Sequence, residues 1–120
     1  MQQIQINEII NKQKKICKKY NAEFFDTDFN LKVGISLNIK EGAFPINGLR
    51  HPSIGDTSGW YIWGGKEFSE SDDFFLPLHI IHLNEWNPLI FQYLGLPPGY
   101  RFLFAKDYED CWEDKSLLDI

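Results

Sequence analysis

Several ingredients of common functions are scarce in this chain, and each shortage narrows what it can do. There are two cysteines, Cys17 and Cys111, 94 positions apart, and three histidines. No zinc-type Cys or His spacing and no HExxH pairing occurs, and no lysine follows a glycine frame of the length a phosphate loop needs. No window approaches the roughly 18 apolar residues that a membrane span requires. The start, MQQIQINEIINKQKK, has no charged region followed by an apolar run, so it does not read as a secretory leader. The expectation is a cytoplasmic chain whose two thiols stay reduced. Basic surface is also in short supply. Twelve Lys and Arg against seventeen Asp and Glu give a net charge of −5, a poor match to nucleic acid. There is no internal repeat, low-complexity tract or interdomain linker, so residues 1–120 are expected to form one domain.

Aromatic and apolar residues are plentiful. Ten Phe and four Trp within a 43% hydrophobic composition are enough for a core and argue against disorder. The charge is segregated. Residues 1–22 carry +4, residues 107–120 carry −5, and the remainder carries −4. A basic protein partner suits this pattern, because opposite charge speeds encounter.

The N-terminal segment, about Gln3 to Tyr20, reads as an amphipathic helix. Ile6, Ile9, Ile10, Ile16, Cys17 and Tyr20 fall on one stripe. Lys12, Lys15 and Lys19 form a solvated face beside it, and Asn21 is a plausible stop. Asn30 to Asn38 alternates Leu31, Val33, Ile35 and Leu37 as a half-buried strand does, with Gly34 marking a bulge or close packing. Gly59 to Trp63 is a strand that sends Trp60 and Ile62 one way and Tyr61 and Trp63 the other. Apolar on both faces, it is expected to be central.

Lys66 to Asp73 is a polar, acidic loop, and Phe74 to Leu83 suggests an extended piece leading into a helical turn. Asn87 as N-cap and Pro88 at the first position frame a short helix to Leu94, burying Leu89, Ile90, Tyr93 and Leu94. Pro98-Gly99 signals a type II turn. Tyr100 to Ala105 and about Tyr108 to Trp112 are the last strands. The fold class is α+β: a small, mainly antiparallel sheet with an N-terminal amphipathic helix and one or two short helices.

The stretch Asn47 to Trp63, NGLRHPSIGDTSGWYIW, stands out. Gly48, Pro52 and Gly55 interrupt any period, which predicts an irregular polar loop held out by the aromatic strand that follows. Arg50, His51 and Asp56 lie in it. Arg and Trp in irregular segments are of the types enriched at interfaces, which brings in Trp86 as well. The acidic rim Glu109, Asp110 and Glu113 completes the candidate partner-binding set.

Three other chemistries can be weighed against structural roles. His79 and His82 would share a helical face and could bind a divalent metal; on a strand they would face opposite ways and serve as hydrogen-bonded structural residues. Asp56-Thr57-Ser58-Gly59 with His51 has a faint likeness to a serine hydrolase, but side chains of these types also close turns. Trp60, Tyr61 and Trp63 could stack on a small ligand or carbohydrate, although such density is commonly core. Cys111, amid Glu109, Asp110, Glu113 and Asp114, should be a poor nucleophile.

Read in order, the segments NGLRHP, GDTSGWYIW, DFFLPLH, YLGLPPGYRFLFA and EDCW resemble a bacterial immunity-protein family of the Imm33-like type, formerly catalogued as a domain of unknown function. The likeness runs over roughly residues 33–114. It rests on the Ser-Gly-Trp strand at Ser58–Trp60, the Pro-Leu segment at Pro77-Leu78 and the Pro-Pro-Gly turn at Pro97–Gly99. The resemblance implies a small, non-enzymatic α+β protein without cofactor that neutralises a cognate toxin by binding it.

Overall fold

The computed structural model describes residues 3–65 and 74–119; the expected acidic loop Lys66–Asp73 lies outside them. Helix α1 spans Gln3–Lys19. Its stop is built as the sequence suggested. Asn21 takes a left-handed φ of 56°, while Ala22 N–H reaches Cys17 O and Asn21 N–H reaches Lys18 O. These are the paired bonds that close a helix around a left-handed residue. The apolar stripe contains one polar member that the periodicity passed over. Gln13 is buried and donates to Phe91 O at 3.0 Å, a carbonyl that also accepts Leu94 N–H, so the buried amide is itself satisfied and ties α1 to the segment around Phe91.

Six strands follow: β1 (Lys32–Ser36), β2 (Ile46–Arg50), β3 (Thr57–Gly64), β4 (Phe75–His79), β5 (Tyr100–Ala105) and β6 (Tyr108–Glu113). They form one sheet in the order β4-β1-β3-β2-β5-β6. The β1–β3 pair is parallel and the other four pairs are antiparallel. The architecture is therefore α+β with a mainly antiparallel sheet, and β3 sits inside it as its composition required.

Strand β2 corrects the sequence reading, which placed Asn47 to Arg50 in an irregular loop. Gly48 does not interrupt the sheet here; it provides space. A Cβ at that position would lie 2.1 Å from the Phe102 ring on the neighbouring strand, so only glycine lets β2 and β5 meet. The irregular part shrinks to the turn between His51 and Asp56. Gly34 has the same role under Tyr61, 2.8 Å from its would-be Cβ, and the β1–β3 register does shift between Lys32 and Gly34.

The sheet has two unlike faces. On one, Val33, Ile35, Trp60, Ile62, Phe102 and Phe104 pack with α1 and with the 3-10 helices Ile80–Glu85 and Pro88–Tyr93 to make the main core. On the other, Leu49, Trp63 and Leu117 form a smaller cluster flanked by Tyr61, Phe74 and Phe75. Leu117 arrives from the short 3-10 helix Lys115–Leu118.

Local signals place the remaining elements. Asn87 Oδ1 accepts from Leu89 N–H at 3.0 Å, with Pro88 next to it. Gly99 has φ +93°, and Tyr100 N–H bonds back to Pro97 O, as a type II turn requires. Pro77 lies in β4 at the sheet edge, where its missing N–H is tolerated. One burial expectation fails. Leu89 is 56% exposed, because three residues per turn direct Ile90 with Tyr93, and Phe91 with Leu94, inward and leave Leu89 outside.

Candidate functional site

The side chains expected to form one contact surface are dispersed, and several are used internally. Arg50 is the clearest correction. It ends β2 with a side chain 0% exposed. Its Nε donates to Ser58 O at 3.0 Å, and its Nη1 donates to Leu94 O at 3.2 Å and Leu96 O at 2.8 Å. The guanidinium lies 4.7 Å from the Phe25 ring centre and 5.4 Å from that of Trp60. Burial pushes its pKa down to about 10, still far above neutrality, so the charge is kept. Arg50 clamps the 94–96 turn and the start of β3 together, and no partner can reach it.

His51 is half-buried. Its Nδ1 lies 2.9 Å from Leu117 O, and its ring meets Tyr61 edge-on at 5.7 Å. Asp56 is exposed and pairs with Lys32 Nζ at 2.8 Å. Ser58 is buried and donates to Lys32 O. The imidazole nitrogen, the carboxylate and the hydroxyl thus face three different partners, and the hydrolase-like arrangement does not form. Trp86 packs against the main core and carries Lys40 Nζ over its ring at 5.0 Å. Asp56 stands just before β3, three strand positions from β6, which is about 14 Å at roughly 4.8 Å per strand.

Nor does the alternative stacking platform exist. Trp60 is 0% exposed, lies against Phe102 in the core and donates its indole N–H to Leu94 O. Trp63 is buried on the opposite face. Only Tyr61 of the three is half-open, and Phe75 meets it edge-on. His79 and His82 come together where β4 passes into the 3-10 helix, their ring centres 6.2 Å apart and both exposed. Among the described residues no three His, Cys, Asp or Glu side chains are grouped to hold a metal ion.

The acidic end of the chain divides by strand periodicity. In β6 the odd positions face the main core. Cys111 is buried there opposite Phe102, and burial, helped by Glu109 and Asp110, pushes its thiol up to about 12. Glu109 accepts from Lys19 Nζ at 2.7 Å, Tyr20 Oη at 2.8 Å and Tyr93 Oη at 2.7 Å. Burial works to raise its pKa, but the three donors outweigh it and hold the carboxyl below the usual range. Burial and then the Glu109 hydrogen bond push both tyrosine hydroxyls upward. Glu109 therefore ties α1, the Pro88–Tyr93 helix and β6 together, and leaves the proposed acidic rim.

The even positions face the other way. Tyr108 is 58% and Trp112 40% exposed, with half-exposed Asp110 between them. Glu113 ends the strand in solvent. The sequence reading took the acids but left out these two aromatics. Their signal was the period of two in Tyr108-x-Asp110-x-Trp112.

A groove of about 780 Å³ also runs between α1 and the 3-10 helices, with Ile9, Lys12, His82, Glu85 and Leu89 among its walls; its charges are mixed. Among the described residues no helix is long and apolar enough to cross a membrane. Neither a curated protein nor a solved structure matches the chain significantly. The profile of the Imm33-like domain, however, matches residues 12–114, which takes in the second half of α1 and all six strands, and the chain belongs to that family.

Proposed function

We propose that this chain is an immunity protein that binds and neutralises a bacterial toxin in the cytoplasm, without catalysis and without a cofactor. The contact is made through β6, by Asp110 and Glu113 with the exposed rings of Tyr108 and Trp112. Family membership supports the toxin reading. The observation that carries the choice of surface is that alternation in β6 leaves Tyr108, Asp110 and Trp112 unburied on one face, while Glu113 is exposed where the strand ends. Interfaces commonly use such aromatic anchors. The acids favour a basic toxin domain, because complementary charge steers encounter and excludes like-charged competitors.

Co-expression with the product of the neighbouring open reading frame, taken as the candidate toxin, tests this. The wild-type chain should restore growth, and the double reversal Asp110→Lys with Glu113→Lys should abolish rescue while the protein stays folded. Full rescue by the charge-reversed protein would move the contact surface elsewhere.

A further inference from the structure

The two edges of the sheet are built differently, and the difference points to a binding mode. At the β4 edge, Ile80 N–H bonds to Leu31 O. This sets the ladder phase so that Leu78 and Leu76 bond inward to β1, while Phe75, Pro77 and His79 turn their main chain outward. Proline occupies the middle of that outward row and has no N–H to offer, a usual way of blunting an edge.

At the β6 edge, Asp114 N–H bonds to Gly99 O. With the register Arg101↔Trp112, Leu103↔Asp110 and Ala105↔Tyr108, the inward groups are those of the even positions. The N–H and C=O of Glu109, Cys111 and Glu113 therefore point away from the sheet. No hydrogen bond among the described residues takes them up, and no proline lies in the strand.

We infer that β6 receives an added strand from the protein partner, and that this strand carries a lysine or arginine opposite Asp110. Three outward residues supply six main-chain groups, which suffices for strand addition. The side chains then select the occupant. Tyr108, Asp110 and Trp112 line one face at two-residue spacing, so a cation set against Asp110 also lies between two exposed rings and gains from their faces. A second copy of this chain is a poor occupant. Antiparallel pairing about Cys111 would place Glu109 of each copy opposite Glu113 of the other, and like charges directly opposed destabilise a sheet.

The inference rests on the toxin-binding reading for its biological partner, but it can be tested separately. The probe is a short peptide alternating lysine and valine, titrated into the full chain labelled with nitrogen-15, with a glutamate–valine peptide as control. Only the lysine peptide should move the β6 amides, and those of Glu109, Cys111 and Glu113 should become slow to exchange.

Glu113→Pro removes an outward N–H without breaking a bond to β5, and places a ring where the incoming backbone must lie. It should weaken peptide binding by about tenfold or more. Glu113→Gln, which keeps the N–H, should change binding by only about threefold. A folded Glu113→Pro protein that binds the lysine peptide as tightly as wild type overturns the proposal, as does a peptide footprint away from β6. If Glu113→Pro fails to fold, exchange protection in the wild type decides. Toxin rescue that survives in folded Glu113→Pro would rule out strand addition and leave toxin binding in place. If the wild type gives no rescue, the toxin reading is removed, and the peptide titration alone judges the edge.

Discussion

Arg50→Ala should destabilise the protein by about 2–4 kcal/mol, and the figure can be assembled from its surroundings. Of the three carbonyls that Arg50 serves, Ser58 O also accepts from Ser53 Oγ, and Leu94 O from Thr27 Oγ1 and Trp60 Nε1. Alanine therefore orphans only Leu96 O, at a cost of about 1–3 kcal/mol for one buried unpaired acceptor. It also empties the slot between Phe25 and Trp60, and truncating a large buried side chain costs about 2–5 kcal/mol. One effect opposes these. Among the described residues the guanidinium has no carboxylate partner, and its Nη2 is buried without a hydrogen bond, so removing the charge returns roughly several kcal/mol of desolvation.

Arg50→Met separates the two contributions. The thioether fills much of the same slot without the charge, and that variant should lie within about 1–2 kcal/mol of wild type. Urea unfolding followed by tryptophan fluorescence reads both. The alanine midpoint should fall by about 1–2 M with the slope unchanged. A midpoint equal to wild type, together with weakened partner binding, would refute the buried-clamp account and return Arg50 to the surface.

Three further perturbations follow from the same packing. Gly48→Ala forces a methyl group to within 2.1 Å of the Phe102 ring and should cost about 1–3 kcal/mol as overpacking; an unchanged thermal midpoint would contradict the close approach of β2 to β5. Glu109→Gln should lower stability by about 1–3 kcal/mol near neutral pH, where the carboxylate takes three donors. Because the folded-state pKa is depressed, that contribution is present above the unfolded value of about 4.3 and is lost as pH falls through the folded one. The stability curves of wild type and variant should therefore converge in acid, and parallel curves would show that Glu109 does not titrate as described. Cys17 and Cys111 are buried, and burial raises both thiols. Neither should be alkylated in the native protein at pH 8, whereas both should label in urea. Rapid native labelling of Cys111 would place β6 outside the core.

What the sequence revealed and what it hid divides by the range of the contacts involved. The stop at Asn21, the cap at Asn87, the turn at Pro98-Gly99 and the division of Trp60 from Tyr61 depend on residues within a few positions, and all were legible. Strand β2 was not, because the reason for Gly48 is Phe102, which lies 54 positions on. The role of Arg50 was hidden for the same reason. Two of its three acceptors belong to Leu94 and Leu96, and an arginine between Leu49 and His51 gives no local sign of being enclosed. Leu89 was misplaced by applying an α-helical period to a segment that winds three residues per turn.

The charge segregation visible in the sequence has a meaning that only the sheet supplies. The basic helix and the acidic tail are not two separate patches. The end of α1 brings Lys19 onto Glu109, and Arg101 takes Asp114. Of the acids in β6 and its flanks, those that face the core or close the strand are thus neutralised within the fold. Asp110 and Glu113 are not; among the described residues neither has an ion-pair partner. The same strand has an outward main-chain row that no hydrogen bond among the described residues takes up, whereas the opposite edge has Pro77 at its centre. Guarding against edge-to-edge association would favour a proline in β6, as in β4, and ion pairing takes up Glu109 and Asp114 but not these two acids. That both departures fall on one six-residue strand, which also carries two exposed aromatic rings, is the physical reason to propose recognition there and not in the loop around Arg50.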